Sequence, residues 1–142
     1  MRSGFRKGNV MEIKDFSIGM KASLKAVATD EAVLKIADAS GDYNPVHIDD
    51  DYAKNSIFGG RIAHGLFCLG LISNLLGNRF PGPGTILMNE TVDYLKPVYI
   101  DDEITATVEV ISISGKKLGL SYRCANQNNL EVMKGTALVK VL

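Results

Sequence analysis

Two periodicities divide the chain. From Thr29 to Asn78 apolar positions recur at helical spacing, and from Thr85 onward they alternate. Thr29-Asp30-Glu31 reads as an N-cap with an acidic first turn, opening a helix through Val33, Leu34, Ile36 and Ala37 that stops near Ser40-Gly41. A polar loop from Gly41 to Asp51 follows, with the turn signal Asn44-Pro45 inside it. After Gly59-Gly60 comes the most hydrophobic segment. Ile62, Ala63, Leu66, Phe67, Leu69, Leu71, Ile72, Leu75 and Leu76 cover nearly every direction around a helix, which predicts a helix buried on all sides. It should end at Gly77, since Pro81-Gly82-Pro83-Gly84 forbids continuation.

The second half predicts strands. Ile104, Ala106, Val108 and Val110 share one face, while Glu103, Thr105, Thr107 and Glu109 share the other. Leu118, Leu120, Tyr122 and Cys124 repeat the pattern. Ser114-Gly115-Lys116 and the asparagine-rich run 126–129 supply the turns. A strand from Thr85 to Leu95 comes before these, and a last one runs from Leu130 to Val141, with a bulge expected at Gly135. Residues 12–28 read as an extended lead-in punctuated by Gly19. Four long antiparallel strands, with one near the start, must therefore cover one apolar helix. A curved sheet wrapped around that helix does so, giving one α+β domain over residues 1–142. A single sheet leaves an edge and an apolar surface, so a homodimer is the expected completion.

Composition narrows the function classes. A chain of 142 residues suits one domain. Its 16 basic and 16 acidic residues balance, giving no reason to expect nucleic acid or an anionic membrane as partner. A small basic patch for a phosphorylated ligand is still compatible with that balance. Cys68 and Cys124 have neither metal-ligand nor redox spacing and are expected to pack as small hydrophobes, as suits a reducing cytoplasm. The stretch from Ile62 to Leu76 is broken by His64, Gly65, Ser73 and Asn74, and falls short of the roughly 18 apolar residues a membrane span needs. No secretory apolar region follows the basic N-terminus, and Met11 could be the natural start, with residues 1–10 a disordered or vector-derived extension.

The chemistry concentrates in Ala39-Ser40-Gly41-Asp42-Tyr43-Asn44-Pro45-Val46-His47. A carboxylate and an imidazole bracket a turn there, and two proton acceptors at fixed separation can grip one water. The same loop also serves a purely structural turn, because Asp and Asn cap turns and Pro initiates them. From the residues alone both readings stay open. No metal is expected, since neither histidine is spaced with a carboxylate or thiolate as a ligand set.

Ser-Gly-Asp-Tyr-Asn-Pro-Val-His (40–47) closely resembles the signature of the (R)-specific enoyl-CoA hydratases of the MaoC-like hotdog family. The resemblance continues through Phe58-Gly59-Gly60-Arg61-Ile62-Ala63-His64-Gly65, Pro81-Gly82-Pro83-Gly84 and Leu95-Lys96-Pro97-Val98, covering about residues 12–142. It implies a hotdog fold, usually dimeric, and reversible syn addition of water to a trans-2-enoyl-CoA, giving the (R)-3-hydroxyacyl-CoA. It implies Asp42 and His47 as the catalytic pair and the Gly65 backbone N–H as oxyanion donor. Asn44 would shape the loop. Ser73, Leu76 and Val139 match positions that set acyl-chain length. His64 is expected to pack or hydrogen-bond, not to catalyse. No separate cofactor is implied, because CoA is part of the substrate. Arg61, Arg79, Lys96, Lys116 and Lys117 are candidate partners for its phosphates. A 3-hydroxyacyl-ACP dehydratase of fatty-acid synthesis, a hotdog acyl-CoA thioesterase and a non-catalytic acyl-CoA-binding subunit are the competing readings.

Overall fold

The computed structural model describes residues 11–142, so the extension expected over 1–10 lies outside the described residues. A 3-10 turn at Ile13–Asp15 leads into strand β1 (Lys21–Val27). Helix α1 (Asp30–Ser40) starts at the expected cap. Thr29 Oγ1 accepts the Ala32 N–H at 3.1 Å, with Asp30 and Glu31 in the first turn. It ends at Gly41, whose φ of 78° only glycine adopts cheaply and whose N–H bonds the Ala37 carbonyl. Two short helices follow, α2 (Pro45–Ile48) and α3 (Asp50–Lys54), and then the long helix α4 (Gly65–Asn78).

Strands β2 (Ile86–Tyr94), β3 (Glu103–Ser114), β4 (Lys117–Ala125) and β5 (Glu131–Lys140) complete one antiparallel sheet in the order β1-β3-β4-β5-β2. The alternation holds. Ile104, Ala106, Val108 and Val110 are fully buried, as are Leu118, Leu120 and Cys124. Against that face α4 buries Phe67, Cys68, Leu71, Ile72, Leu75 and Leu76, so sheet and helix share one core in the expected hotdog arrangement.

Two expectations change. Helix α4 is not buried all round within one chain: Leu66, Gly70, Ser73 and Gly77 form an exposed stripe along it. Nor is Gly135 a bulge. The register shifts fall at Leu87/Asn89, Val110/Ser112 and Cys124/Ala125, while Gly135 pairs in step with both Val92 and Tyr122. Glycine is needed there for close approach, since a Cβ would fall on the Thr91 carbonyl and within 2.8 Å of the Tyr122 ring. Through that gap Tyr122 reaches β2, donating from its hydroxyl toward Glu90 Oε1 at 3.0 Å and the Thr91 carbonyl at 3.1 Å.

Cys68 and Cys124 are buried thiols, with the Cys124 Sγ 3.9 Å from the Cys68 carbonyl, which agrees with a packing role. Among the described residues no helix is long and apolar enough to cross a membrane.

Candidate active site

Asp42 sits in the loop that Gly41 releases from α1. Its N–H donates to Ser40 Oγ at 3.1 Å, and its Oδ1 accepts the Asn44 N–H at 3.1 Å. That Asx turn leaves Oδ2 free. Asn44 then caps α2, accepting the Val46 N–H at 3.4 Å, and Pro45 occupies the first helical position. Asn44 thus shapes the loop. Within one turn of α2 His47 becomes buried.

The proton on His47 can be placed. Its Nδ1 lies 2.7 Å from the Ile62 carbonyl oxygen, which can only accept, so Nδ1 carries the hydrogen. In the neutral ring Nε2 is then a bare acceptor, and it lies 4.0 Å from Asp42 Oδ2. Two lone pairs face each other across a gap that suits one water donating to both.

Helix α4 brings in the second half of the site. The segment before it is pinned on both sides, Ile62 N–H to the Val46 carbonyl at 3.1 Å and Ala63 N–H to the Val98 carbonyl at 2.7 Å. Next in line, His64 is 3% exposed and stacks on His47 with ring centroids 3.8 Å apart. Its Nε2 lies 2.9 Å from the Asp42 carbonyl oxygen and therefore donates, leaving Nδ1 buried and without a partner among the described residues. Gly65 opens α4, whose N-terminus has no side-chain cap, so its first N–H groups keep their donor capacity and the positive end of the helix dipole.

Asp42, His47, His64 and Gly65 line one cavity of about 530 Å³, walled further by Leu66, Cys68, Tyr94, Val132 and Met133. The sequence-predicted groups divide here. Asp42, His47 and Gly65 come together. Ser73 is exposed further along α4, and Leu76 and Val139 are core residues at 3% and 0% exposure; none of the three lines this cavity. Lys96 is the candidate cation that does, while Arg79, Lys116 and Lys117 lie elsewhere.

Arg61 is not free for a phosphate. Its side chain is 11% exposed, its Nε donates to the His47 carbonyl at 2.7 Å, and its Nη atoms pair with Asp30 and Asp50. It fastens α2 to the start of α1. Sequence reasoning missed this role and that of Tyr94, whose ring lies over Gly65. The aromatic at the end of an alternating strand was the available signal for Tyr94.

Potential ligand atoms of Asp42, His47 and His64 lie within 4.8 Å of one another, a cluster that local spacing did not foresee. Coordination needs in-plane lone pairs converging on one point. The two rings are instead stacked at 27°, and the His64 Nε2 proton is committed to a carbonyl. The geometry favours acid–base work.

Comparison with known proteins agrees with this arrangement. A (R)-specific enoyl-CoA hydratase of Rhodospirillum rubrum is 38% identical over 130 residues, covering 90% of each chain. A 3-hydroxybutyryl-CoA dehydratase of Methylorubrum extorquens is 37% identical over 133 residues, 93% of this chain and 85% of that one. In structure the chain resembles the (R)-hydratase from A. caviae involved in PHA biosynthesis, with a TM-score of 0.88 at 32% identity over 91% of this chain and 99% of that one. The family model described as MaoC like domain matches residues 15–128, most of the chain and all of Asp42, His47, His64 and Gly65, and the protein belongs to that family.

Proposed function

We propose that this protein is a hydro-lyase that adds water to trans-2-enoyl-CoA and forms (R)-3-hydroxyacyl-CoA. The observation that carries the reading is the pair of acceptors, Asp42 Oδ2 and His47 Nε2, facing each other 4.0 Å apart at the wall of a cavity. A water held between them donates a hydrogen to each and turns an oxygen lone pair toward the substrate. Its oxygen bonds to C3, one proton passes to the pair, and the C2–C3 π electrons shift onto the thioester as an enolate. The pair then returns a proton to C2 on the same face. Oxygen and proton thus come from one side, which makes the addition syn, and the reverse sequence is dehydration.

The enolate oxygen needs a donor. An uncapped helix N-terminus at Gly65 supplies one, and such a donor contributes about 2.7–4 kcal/mol in comparable sites. Every proton in the sequence comes from water or the pair, so the steps call on no separate cofactor. Lys96, at the same cavity, suits the phosphates of CoA.

The working unit in this reading is a homodimer. The exposed stripe of α4 and the half-exposed Ile86, Leu87 and Met88 on edge strand β2 are apolar surface that a second copy would cover. Two buried cysteines kept as thiols suit the cytoplasm.

The test is loss of the conjugated-enoyl absorbance of crotonyl-CoA with wild-type and Asp42→Asn protein, the product being typed with (R)- and (S)-specific dehydrogenases. Loss giving the (R) product, and falling by about 10²-fold or more in the variant, supports the reading. Release of free CoA would replace it with a thioesterase. Turnover confined to acyl-carrier-protein thioesters would make the protein a 3-hydroxyacyl-ACP dehydratase.

A further inference from the structure

The cavity is short in the direction of α4. It takes Gly65, Leu66 and Cys68 from that helix, the first turn and no more. Leu76 lies two turns beyond Cys68, roughly 12 Å down the axis at about 1.5 Å per residue, and it is packed in the core. An acyl chain whose C3 sits at Asp42 and His47 therefore meets a wall before it reaches Leu76 or Val139.

Part of that wall cannot move. Cys68, Val132 and Met133 are 3%, 2% and 1% exposed and belong to the core shared by sheet and helix. The remaining part is Tyr94, the last residue of edge strand β2, paired with Met133 on one side only. Its ring lies so close over Gly65 that a Cβ there would stand 2.5 Å from Cε1 and 2.9 Å from Cζ. Tyr94 is 57% exposed in the single chain and lies outside the core shared by sheet and helix, so its ring can be truncated without emptying that core.

We propose that Tyr94 sets the acyl-chain length. With the ring over Gly65 the cavity takes a short chain such as butenoyl. With the ring removed, the space along the first turn of α4 opens toward the rest of the helix, and longer chains enter. The residues that the resemblance offered for this role then act only behind Tyr94. This rests on the cavity being the acyl-thioester site, and it deepens that reading by naming the substrate class as short-chain thioesters.

The experiment is isothermal titration with butanoyl-CoA and octanoyl-CoA, saturated thioesters that the enzyme cannot hydrate. Wild-type protein should gain no affinity from the four added methylenes. Tyr94→Ala and Tyr94→Leu should each bind octanoyl-CoA about tenfold or more tightly than wild type does, and Tyr94→Phe should keep wild-type discrimination, because the ring and not the hydroxyl forms the wall. Two truncations, each checked by thermal melting, guard against one that misfolds. Wild-type protein binding octanoyl-CoA about tenfold more tightly than butanoyl-CoA would overturn the proposal, as would truncations that leave the ratio unmoved. Protein that discriminates in titration yet leaves crotonyl-CoA intact would sink the hydratase reading and keep the wall. No binding of either thioester would overturn both.

Discussion

His64 lies flat against His47, ring centroids 3.8 Å apart, while its Nε2–H holds the Asp42 carbonyl at 2.9 Å. One buried side chain thereby touches both members of the reactive pair. The contact has a cost, since the Nδ1 of His64 is buried without a partner among the described residues, and such an atom typically costs about 1–3 kcal/mol. A phenylalanine would fill the space without that cost, so the donor to Asp42 is what the imidazole adds. His64→Phe keeps the stack and loses the donor; His64→Gln keeps a donor and loses the stack. Steady-state kinetics should show kcat reduced by roughly 10- to 100-fold in both, with KM for crotonyl-CoA little changed. A residue that merely fills space would leave His64→Phe at the wild-type rate.

Arg61 and Lys96 should separate positioning from binding. Arg61 serves three acceptors on three helices, α1, α2 and α3, which a lysine, with its single point of charge, cannot reproduce. Arg61→Lys should lower kcat by about tenfold or more through a shifted His47, with KM held. Lys96→Glu should do the reverse. Its KM for crotonyl-CoA should rise roughly three- to tenfold at low salt, and the difference should shrink as salt is added. Equal KM changes in the two variants would mean that Arg61 also meets the substrate.

The sequence was most legible where structure depends on near neighbours. The Thr29 cap, the Gly41 stop and the alternation of β3 each need only a few adjacent residues, and each is observed as expected. The Asp42–His47 loop was legible for the same reason, its turn being built from its own side chains. Contacts between distant segments were not. Arg61 reads as one of five candidate cations for the CoA phosphates, and its commitment to Asp30 depends on how α1 folds back. His64 reads as a residue that packs or hydrogen-bonds, but its partners, the His47 ring and the Asp42 carbonyl, emerge only when the fold brings the two segments together. The all-round apolarity of α4 also misled, because the sequence pattern alone does not say which side of a helix its own sheet covers and which it leaves exposed.

Gly135 offers a test of the sheet. Its missing side chain lets Tyr122 cross β5, and the nearest obstacle to a Cβ is the Thr91 carbonyl, part of the β2–β5 pairing. Backbone in a paired strand cannot step aside as a flexible side chain can. Gly135→Ala should destabilise the protein by about 1–3 kcal/mol in denaturant unfolding. A bulge glycine with open space above it would tolerate alanine far better, so a neutral result would restore the bulge.

Tyr122 couples that geometry to pH. Burial, and then the nearby Glu90 carboxylate, holds its phenol well above the ordinary value of 10.0. The neutral hydroxyl is what the fold requires, because it donates toward Glu90 and the Thr91 carbonyl. In the unfolded chain the phenol loses its proton near the ordinary value, while in the folded chain it keeps it. The stabilisation is therefore complete below about pH 10 and is lost progressively as pH rises toward the folded-state pKa. Tyr122→Phe should cost roughly 1–2 kcal/mol at neutral pH, the worth of one buried hydroxyl donating to a charged acceptor. Its stability should then fall less steeply than that of wild type above pH 10. Some slope should persist, since Tyr43 and Tyr94 are also held above their ordinary values, Tyr43 by its hydrogen bond to Asp38 and Tyr94 by burial. Denaturant unfolding at neutral and alkaline pH measures both effects, and parallel slopes for the two proteins would mean that the Tyr122 hydroxyl does not report on folding.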